Sequence, residues 1–298
     1  DRFSELLLRL MKQEYPIHKI IVMNTQETYW NCEWQNQCPK LEVHHILKEE
    51  FDHGGTRRRG MELSEADIVV CMTQDAMPAN ARLIGNLIQP IQGEVGASYA
   101  RQLPAKDCSI LEKYTRSFNY PEVSSVKGQA DVPTNGIKTY FCSNVCAAYD
   151  KKIYDASGGF PQRAIFNEDM IYAATMIQNG YKVAYASDAK VIHSHNYSCM
   201  QQFHRNFDLG VSQAEHPEIF QGIPSEGEGI RLVKKSVLFL LRTGRIWLMP
   251  QLFFQSAFKY AGYFLGKRYQ KLPVHWIRFC IMNPGYWNQP EKDSGIRK

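Results

Sequence analysis

Residues 66–78 read Ala-Asp-Ile-Val-Val-Cys-Met-Thr-Gln-Asp-Ala-Met-Pro, and their pattern decides the fold class. The run from Ile68 to Met72 is apolar and rich in β-branched residues, the composition of a strand covered on both faces by helices. It ends in a polar tip, Thr73-Gln74-Asp75, and Pro78 stops it. A carboxylate at the carboxyl end of such a strand stands where open α/β sheets hold their ligands. Asp75 is therefore a candidate to hold a divalent cation against a diphosphate. Taken alone it reads more simply as a turn acid, and it is the segments on either side that change the balance.

Upstream, residues 2–14 place Phe3, Leu6, Leu7, Leu10 and Met11 at helical spacing, and strands are expected at 18–23 and 41–47 with a loop at 30–40 between them. The first strand ends in Asn24-Thr25, again polar residues on an apolar run. A chain of this class normally opens on a strand, so starting on a helix suggests that the first strand lies outside this sequence. Residues 51–60, Phe-Asp-His-Gly-Gly-Thr-Arg-Arg-Arg-Gly, read as a glycine turn followed by arginines. Gly54 and Gly55 would let backbone amides approach a phosphate and Arg57 would pair with it, although a solvated basic helix start reads equally well.

Downstream, a helix at 79–89 and a strand at 95–100 continue the alternation, with Arg101-Gln102-Leu103-Pro104 at that strand's carboxyl end. Residues 110–121 read as a helix and loop, 124–135 as a mobile polar loop, and 138–149 as a strand interrupted by Ser143-Asn144. Gly158-Gly159-Phe160-Pro161 then precedes Asn167-Glu168-Asp169 and a helix that stops at Gly180. Acids at a helix start can be simple capping. A pair of them after a Gly-Gly-Phe-Pro turn suits a general base facing a pocket, with Asp169 as the base and Glu168 as a capping or sugar-binding neighbour. Short strands at 183–186 and 190–195 follow. Alternation sets His193 and His195 on one face, where one of them could complete a coordination begun by Asp75. Ordinary satisfied histidines are the plainer reading of that pair. Carboxylate, imidazole and phosphate together suit Mg²⁺ or Mn²⁺ better than zinc.

In this order, Thr-Gln-Asp-Ala, Gly-Gly-Phe-Pro, Asn-Glu-Asp and Val-Ile-His-Ser-His-Asn-Tyr-Ser resemble glycosyltransferase family 2, and within it bacterial rhamnosyltransferases of cell-wall polysaccharide synthesis, over residues 18–220. The resemblance implies an α/β GT-A fold with a mostly parallel sheet. It also implies inverting transfer from dTDP-β-L-rhamnose to an acceptor hydroxyl, with a UDP-hexose donor as the neighbouring alternative. By this resemblance Asp75 matches the metal-contacting acid of an Asp-x-Asp motif, Asp169 the base, and His193 the metal-binding histidine. Asn24, Thr25, Gly54, Gly55, Arg57, Gln74 and Arg101 are candidate donor contacts. Asn144, Gly158, Gly159 and Phe160 are candidates for the acceptor and sugar pocket. Asn24 stands in place of the usual acid against the nucleobase, which leaves the nucleotide preference open, while Thr73 in place of the first acid of Asp-x-Asp and the first strand lying outside this sequence leave room for a non-catalytic membrane scaffold.

Charge divides the chain of 298 residues unevenly. Residues 1–230 carry 22 Lys and Arg against 28 Asp and Glu, while residues 231–298 carry 13 against 2. Helices are expected at 199–211, 231–243 and 250–270, with a boundary in the glycine-rich stretch 225–229 and hence a catalytic region 1–228 and a basic amphipathic region 229–298. In the last helix Gln251, Gln255 and Lys259 form a polar stripe among Phe253, Phe254, Phe258, Tyr260 and Phe264. Basic helices with exposed aromatics lie in a bilayer interface, and a packed helical hairpin is the alternative. No run is long and apolar enough to span a bilayer, and the eight scattered cysteines read as reduced thiols. The expectation is a cytoplasmic protein peripherally bound to the inner face of a bacterial plasma membrane, acting on a lipid-linked glycan. No nucleic-acid-binding motif appears, and homo-oligomerisation is left open.

Overall fold

The computed structural model describes residues 1–222 and 226–288. The strands are β1 (Ile20–Thr25), β2 (Leu41–Ile46), β3 (Ile68–Met72), β4 (Met77–Pro78), β5 (Val95–Leu103), β6 (Ser125–Lys127), β7 (Cys146–Asp150) and β8 (Lys182–Ile192). Among and around them run α1 (Arg2–Met11), α2 (Glu33–Gln37), α3 (His53–Glu62), α4 (Leu83–Ile88), α5 (Ile110–Asn119), α6 (Val132–Asn135), α7 (Lys151–Ala156) and α8 (Glu168–Gln178). The remaining chain is helical: α9 (Cys199–Glu215), α10 (Pro217–Phe220), α11 (Glu226–Arg242), α12 (Met249–Gly266), α13 (Val274–Cys280) and α14 (Pro284–Asn288).

The α/β class stands, but the sheet is mixed where a mostly parallel one was expected. β3, β7, β5, β8 and β4 lie side by side in that order, β6 also pairs with β8, and β1–β2 form a separate parallel pair. β7 is antiparallel to both of its neighbours, and the short β4 and β6 are antiparallel to β8. β3, β5 and β8 nevertheless run the same way, because β3 and β5 both oppose β7 and β5 is parallel to β8. Their carboxyl ends therefore share one edge of the sheet, and β7 begins at that same edge.

Four local expectations change. The two short strands at 183–186 and 190–195 are one strand, β8, in which residues 187–189 bulge. Ala100 pairs with Ala186, whereas the next residue, Arg101, pairs with Lys190. The segment 124–135, expected to be mobile, is held by Lys127. Its buried ammonium donates to the carbonyls of Lys138 (2.9 Å) and Phe141 (2.7 Å) and lies 5.0 Å from the Tyr99 ring centre. Burial lowers its pKa to about 8. Those two carbonyls belong to residues expected in a strand, so residues 136–140 form a 3₁₀ turn and β7 starts only at Cys146. Lastly, within 51–60 the residues from His53 onward belong to α3, capped by Asp52, rather than to an open glycine turn.

The core under the shared edge is aromatic. The Phe160 ring meets Tyr149 at 5.2 Å, Tyr154 at 5.0 Å and Tyr172 at 5.5 Å, all edge-on. Such pairs add roughly 0.5–1.5 kcal/mol each beyond area burial. Phe160 is thus core, not the pocket residue expected of it. Gly158 and Gly159 turn the chain into it with positive φ (+86° and +70°), and a Cβ on Gly159 would lie 2.9 Å from the Tyr154 ring.

The carboxyl-terminal helices pack on this body. α9 and α12 approach so closely that a Cβ on Gly262 would lie 2.1 Å from the Phe203 carbonyl oxygen, and one on Gly266 2.1 Å from that of Phe207. Tyr263 donates to Gln213 (2.8 Å) and Tyr286 to Glu215 (2.9 Å), while Glu228 of α11 pairs with Lys138 (2.6 Å). The boundary expected at 225–229 falls in the first turn of α11, and Ser225 lies outside the described residues. Gly266→Val should force the two backbones apart and destabilise the fold by roughly 2–3 kcal/mol, read as a lowered denaturant midpoint. An unchanged midpoint would show that the crossing is not tight.

Candidate active site

The common edge of β3, β5 and β8 gathers side chains from three distant segments. Asp75 follows β3, Gln102 lies at the end of β5, and His193 and His195 follow β8. The Asp75 Oδ2 atom is 3.4 Å from His193 Nε2 and 3.2 Å from His195 Nε2, and the two imidazole nitrogens are 3.0 Å apart. These three are the group among the described residues whose donor atoms, all within 4.8 Å of one another, suit a metal ion.

Gln102 sets the tautomer of His193. Arg116, which can only donate, bonds Gln102 Oε1 and so fixes which way the buried amide points. That oxygen also lies 3.0 Å from His193 Nδ1, which must therefore carry the proton, leaving the Nε2 lone pair turned toward Asp75 and His195. Gln102 Nε2 in turn donates to Ser143 (2.9 Å), the residue before Asn144. Burial works to raise the Asp75 carboxyl, but the two imidazoles beside it outweigh that and hold it well below the usual range. Burial lowers the pKa of His193, favouring the neutral ring that a metal needs.

Asn144 connects this cluster to the paired acids. Its backbone N–H donates to Asp169 Oδ2 (2.8 Å), its side-chain amide donates to Glu168 Oε1 (2.9 Å), and its Oδ1 accepts from Tyr149 (2.7 Å). The other Asp169 oxygen accepts from Met170 N (2.8 Å). Asn167, just before the pair, is left-handed at φ 61°, a conformation Asn tolerates better than most residues, and this kink turns the first turn of α8 toward the edge. Burial, followed by the charge of Glu168, raises the Asp169 pKa, against the pull of the Asn144 N–H and Arg57. A raised carboxylate at a sheet edge is suited to take a proton.

Several expected contacts are occupied elsewhere. Glu168 is buried and paired with Arg57 at 2.6 Å, so it faces the protein rather than a sugar. Arg57, expected on a phosphate, is thereby neutralised, and Arg101 pairs with Glu122 at 2.9 Å. Gly54 and Gly55 press on the 161–164 segment: a Cβ would lie 2.7 Å from Pro161 O or 2.6 Å from Gln162 O. They serve close packing, with Asp52 capping Gly55 N (2.8 Å) and accepting from Ala164 N (3.0 Å). Asn144 is internal, bracing the acids rather than lining a pocket. Asn24 turns its amide to Gln26 O and His45 within the β1–β2 pair, Thr25 closes that pair, and Gln74 is exposed beside Asp75. Gln102, Ser143 and Arg116 were missed as site residues. The available signal was Gln102 near the carboxyl end of its strand, a place where an uncharged polar side chain needs a reason.

The fold and this edge define a glycosyltransferase of the GT-A type. No family model matches the chain. Among solved structures it superposes on the mannosyltransferase PcManGT from Pyrobaculum calidifontis, determined in complex with GDP-Man and Mn²⁺, with TM-score 0.58 and 14% identity over 89% of this chain and 83% of that one. It also superposes on residues 1–349 of S. aureus TarS, with TM-score 0.50 and 12% identity over 91% and 88% of the two chains. In sequence it is 38% identical over 293 residues to the O-antigen chain rhamnosyltransferase RfbN of Salmonella typhimurium, covering 97% of this chain and 93% of that one. It is 41% identical over 252 residues to the O-antigen chain rhamnosyltransferase WbaN of Salmonella anatum, covering 84% and 80%. The chain belongs to this family of O-antigen chain rhamnosyltransferases, within glycosyltransferase family 2.

Gln102→Leu removes the acceptor that orients His193 while keeping side-chain bulk. Mn²⁺ affinity measured by calorimetry should fall about 10- to 100-fold, the usual cost of losing such an outer partner. Unaltered affinity would mean that Gln102 does not govern the histidine.

Proposed function

We propose that this protein transfers L-rhamnose from dTDP-β-L-rhamnose, with inversion, to a hydroxyl of a lipid-linked glycan in the synthesis of bacterial cell-surface polysaccharide. The observation that carries this reading is the convergence of Asp75, His193, His195 and Asp169 on one sheet edge, braced through Gln102, Ser143 and Asn144. Asp75, His193 and His195 would hold a divalent cation, and two imidazoles beside one carboxylate favour Mn²⁺ over oxygen-seeking Mg²⁺. Bound there, the ion would supply positive charge against the departing diphosphate. Where Thr73 offers no carboxylate, His195 provides the third donor, which weighs against a purely scaffolding role.

Asp169 takes the proton of the acceptor hydroxyl as that oxygen bonds the anomeric carbon. The bond from that carbon to the diphosphate oxygen breaks on the opposite face, so configuration inverts. Both Asp169 oxygens already accept backbone N–H bonds, which fixes the carboxylate's direction before the substrates arrive. A UDP-hexose donor is the competing reading, kept in view by Asn24.

The carboxyl-terminal helices fit the inner face of the plasma membrane. No helix among the described residues is long and apolar enough to cross a bilayer. Instead Trp247 (68% exposed), Phe253 (68%), Phe254, Tyr260, Trp276 and Phe279 stand in solvent. Phe253, Tyr260 and Phe264 recur at helical spacing along one face of α12, and the Arg268 guanidinium lies 3.7 Å from the Phe264 ring centre. Aromatic side chains with basic neighbours suit an anionic bilayer surface, each nearby cation adding roughly 1 kcal/mol.

Purified protein with Mn²⁺ should release dTDP from dTDP-rhamnose in an acceptor-dependent reaction, and Asp169→Asn should slow turnover by at least about 100-fold while dTDP still binds. Turnover of UDP-hexoses alone would overturn the donor assignment. Because the Asp169 pKa is raised, kcat/KM should fall as pH drops through a limb above ordinary carboxylate values. Glu168→Gln removes the neighbouring charge that raises it, so the limb should move to lower pH; a limb that stays put would exclude Asp169 as its source. Cosedimentation with phosphatidylglycerol vesicles should be lost in Phe253→Ser/Phe254→Ser and weakened by salt, and retention in that variant would reject this face as the contact.

A further inference from the structure

The arginines expected to meet a diphosphate are paired with carboxylates, Arg57 with Glu168 and Arg101 with Glu122. Two other cations beside the site are not. The guanidinium of Arg205, on α9, lies 4.5 Å from the ring centre of Phe166 and 5.8 Å from that of Tyr197, with no ion pair among the described residues. Lys259, on α12, is half-buried and likewise has no ion pair there. The charges it senses are Glu112, Arg205 and Arg116, and Glu112 is already held by Arg116 at 2.6 Å. Withdrawing a cation from water without a paired carboxylate is costly, and these two stand on helices in backbone contact, Arg205 two residues from Phe203 and Lys259 three from Gly262, which calls for an anion near both.

Their surroundings say which anion. Tyr197, one of the rings against Arg205, stacks on His195 at 4.8 Å and 25°. Phe166, the other, directly precedes Asn167-Glu168-Asp169. Arg205 thus touches one ring joined to the metal-type cluster and one joined to the paired acids, the two ends that a group linking a cation to a reacting carbon must reach. Lys259 lies on α12, whose outer face carries the exposed aromatic residues. We propose that Arg205 and Lys259 form a binding site for a diphosphate, either that of the nucleotide sugar or that of a lipid-linked acceptor. The proposal rests on the transferase reading for the identity of its ligand. Arg205 supplies a planar fork of donors to phosphate oxygens, and Lys259 a mobile point charge.

The test is calorimetric titration of the full chain with dTDP plus Mn²⁺, with thymidine, and with farnesyl diphosphate, in wild type, Arg205→Gln, Arg205→Lys and Lys259→Gln. If the donor supplies the diphosphate, dTDP affinity should fall tenfold or more in Arg205→Gln, less in Arg205→Lys and Lys259→Gln, with thymidine unchanged. If the acceptor supplies it, dTDP affinity should hold, while farnesyl diphosphate affinity falls and the KM for lipid-linked acceptor rises. Wild-type affinity for both diphosphates in Arg205→Gln and Lys259→Gln overturns the proposal, as does a loss that extends equally to thymidine. Arg205→Lys, which keeps the charge but not the planar fork, separates a lost contact from a damaged fold. Should the wild type bind both diphosphates through these residues yet transfer no rhamnose, the transferase reading fails and the anion site stands.

Discussion

The site depends on one buried amide. Gln102 receives the only proton His193 can offer on its Nδ1 side, is held in that orientation by Arg116, and passes its own N–H to Ser143. Low local dielectric strengthens each bond and makes an unfilled one expensive, so the four groups hold one arrangement or lose all of it. A rigid histidine with its free nitrogen facing Asp75 follows from that arrangement. So does a fixed entry to β7, before which Asn144 aims its backbone N–H at Asp169.

The paired acids show how a fold separates two chemically similar groups. Glu168 is closed in by Arg57 and Asn144 and contributes charge, whereas Asp169 keeps only backbone donors and is pushed toward the protonated form by burial and then by that same charge. Neighbouring carboxylates in unlike surroundings acquire unlike roles. The carboxyl-terminal helices enter the same account through glycine. Gly262 and Gly266 let α12 lie against α9 at backbone contact, which sets Lys259 and Arg205 on touching helices and leaves the aromatic face outward.

Much of this was legible in the sequence. The β-branched run ending at Asp75, the Asn-Glu-Asp before a helix and the His-Ser-His after a strand each announce a polar tip on an apolar element, because period and capping are local properties. The mixed direction of the sheet was not legible, since an apolar run carries no sign of which way its neighbour runs. Nor was the use of Gly54, Gly55 and Arg57: a glycine that admits a phosphate and one that admits a carbonyl look alike, and an arginine's partner can lie a hundred residues away. Residues 124–135 misled for a related reason, since polar composition suggests mobility until a buried Lys127 is found gathering carbonyls from a later segment.

The amino-acid order by itself therefore determined most of the strands and helices, the acids and histidines at their ends, and the basic aromatic character of the last helices, all of which depend on neighbours a few residues apart. Only the tertiary structure decided which cations are neutralised and which stand free, which carboxylate is sealed and which is aimed, and that three strand ends meet. Those outcomes turn on distances between segments separated by tens of residues, and Coulombic and hydrogen-bond energies are functions of distance in space, not of separation along the chain.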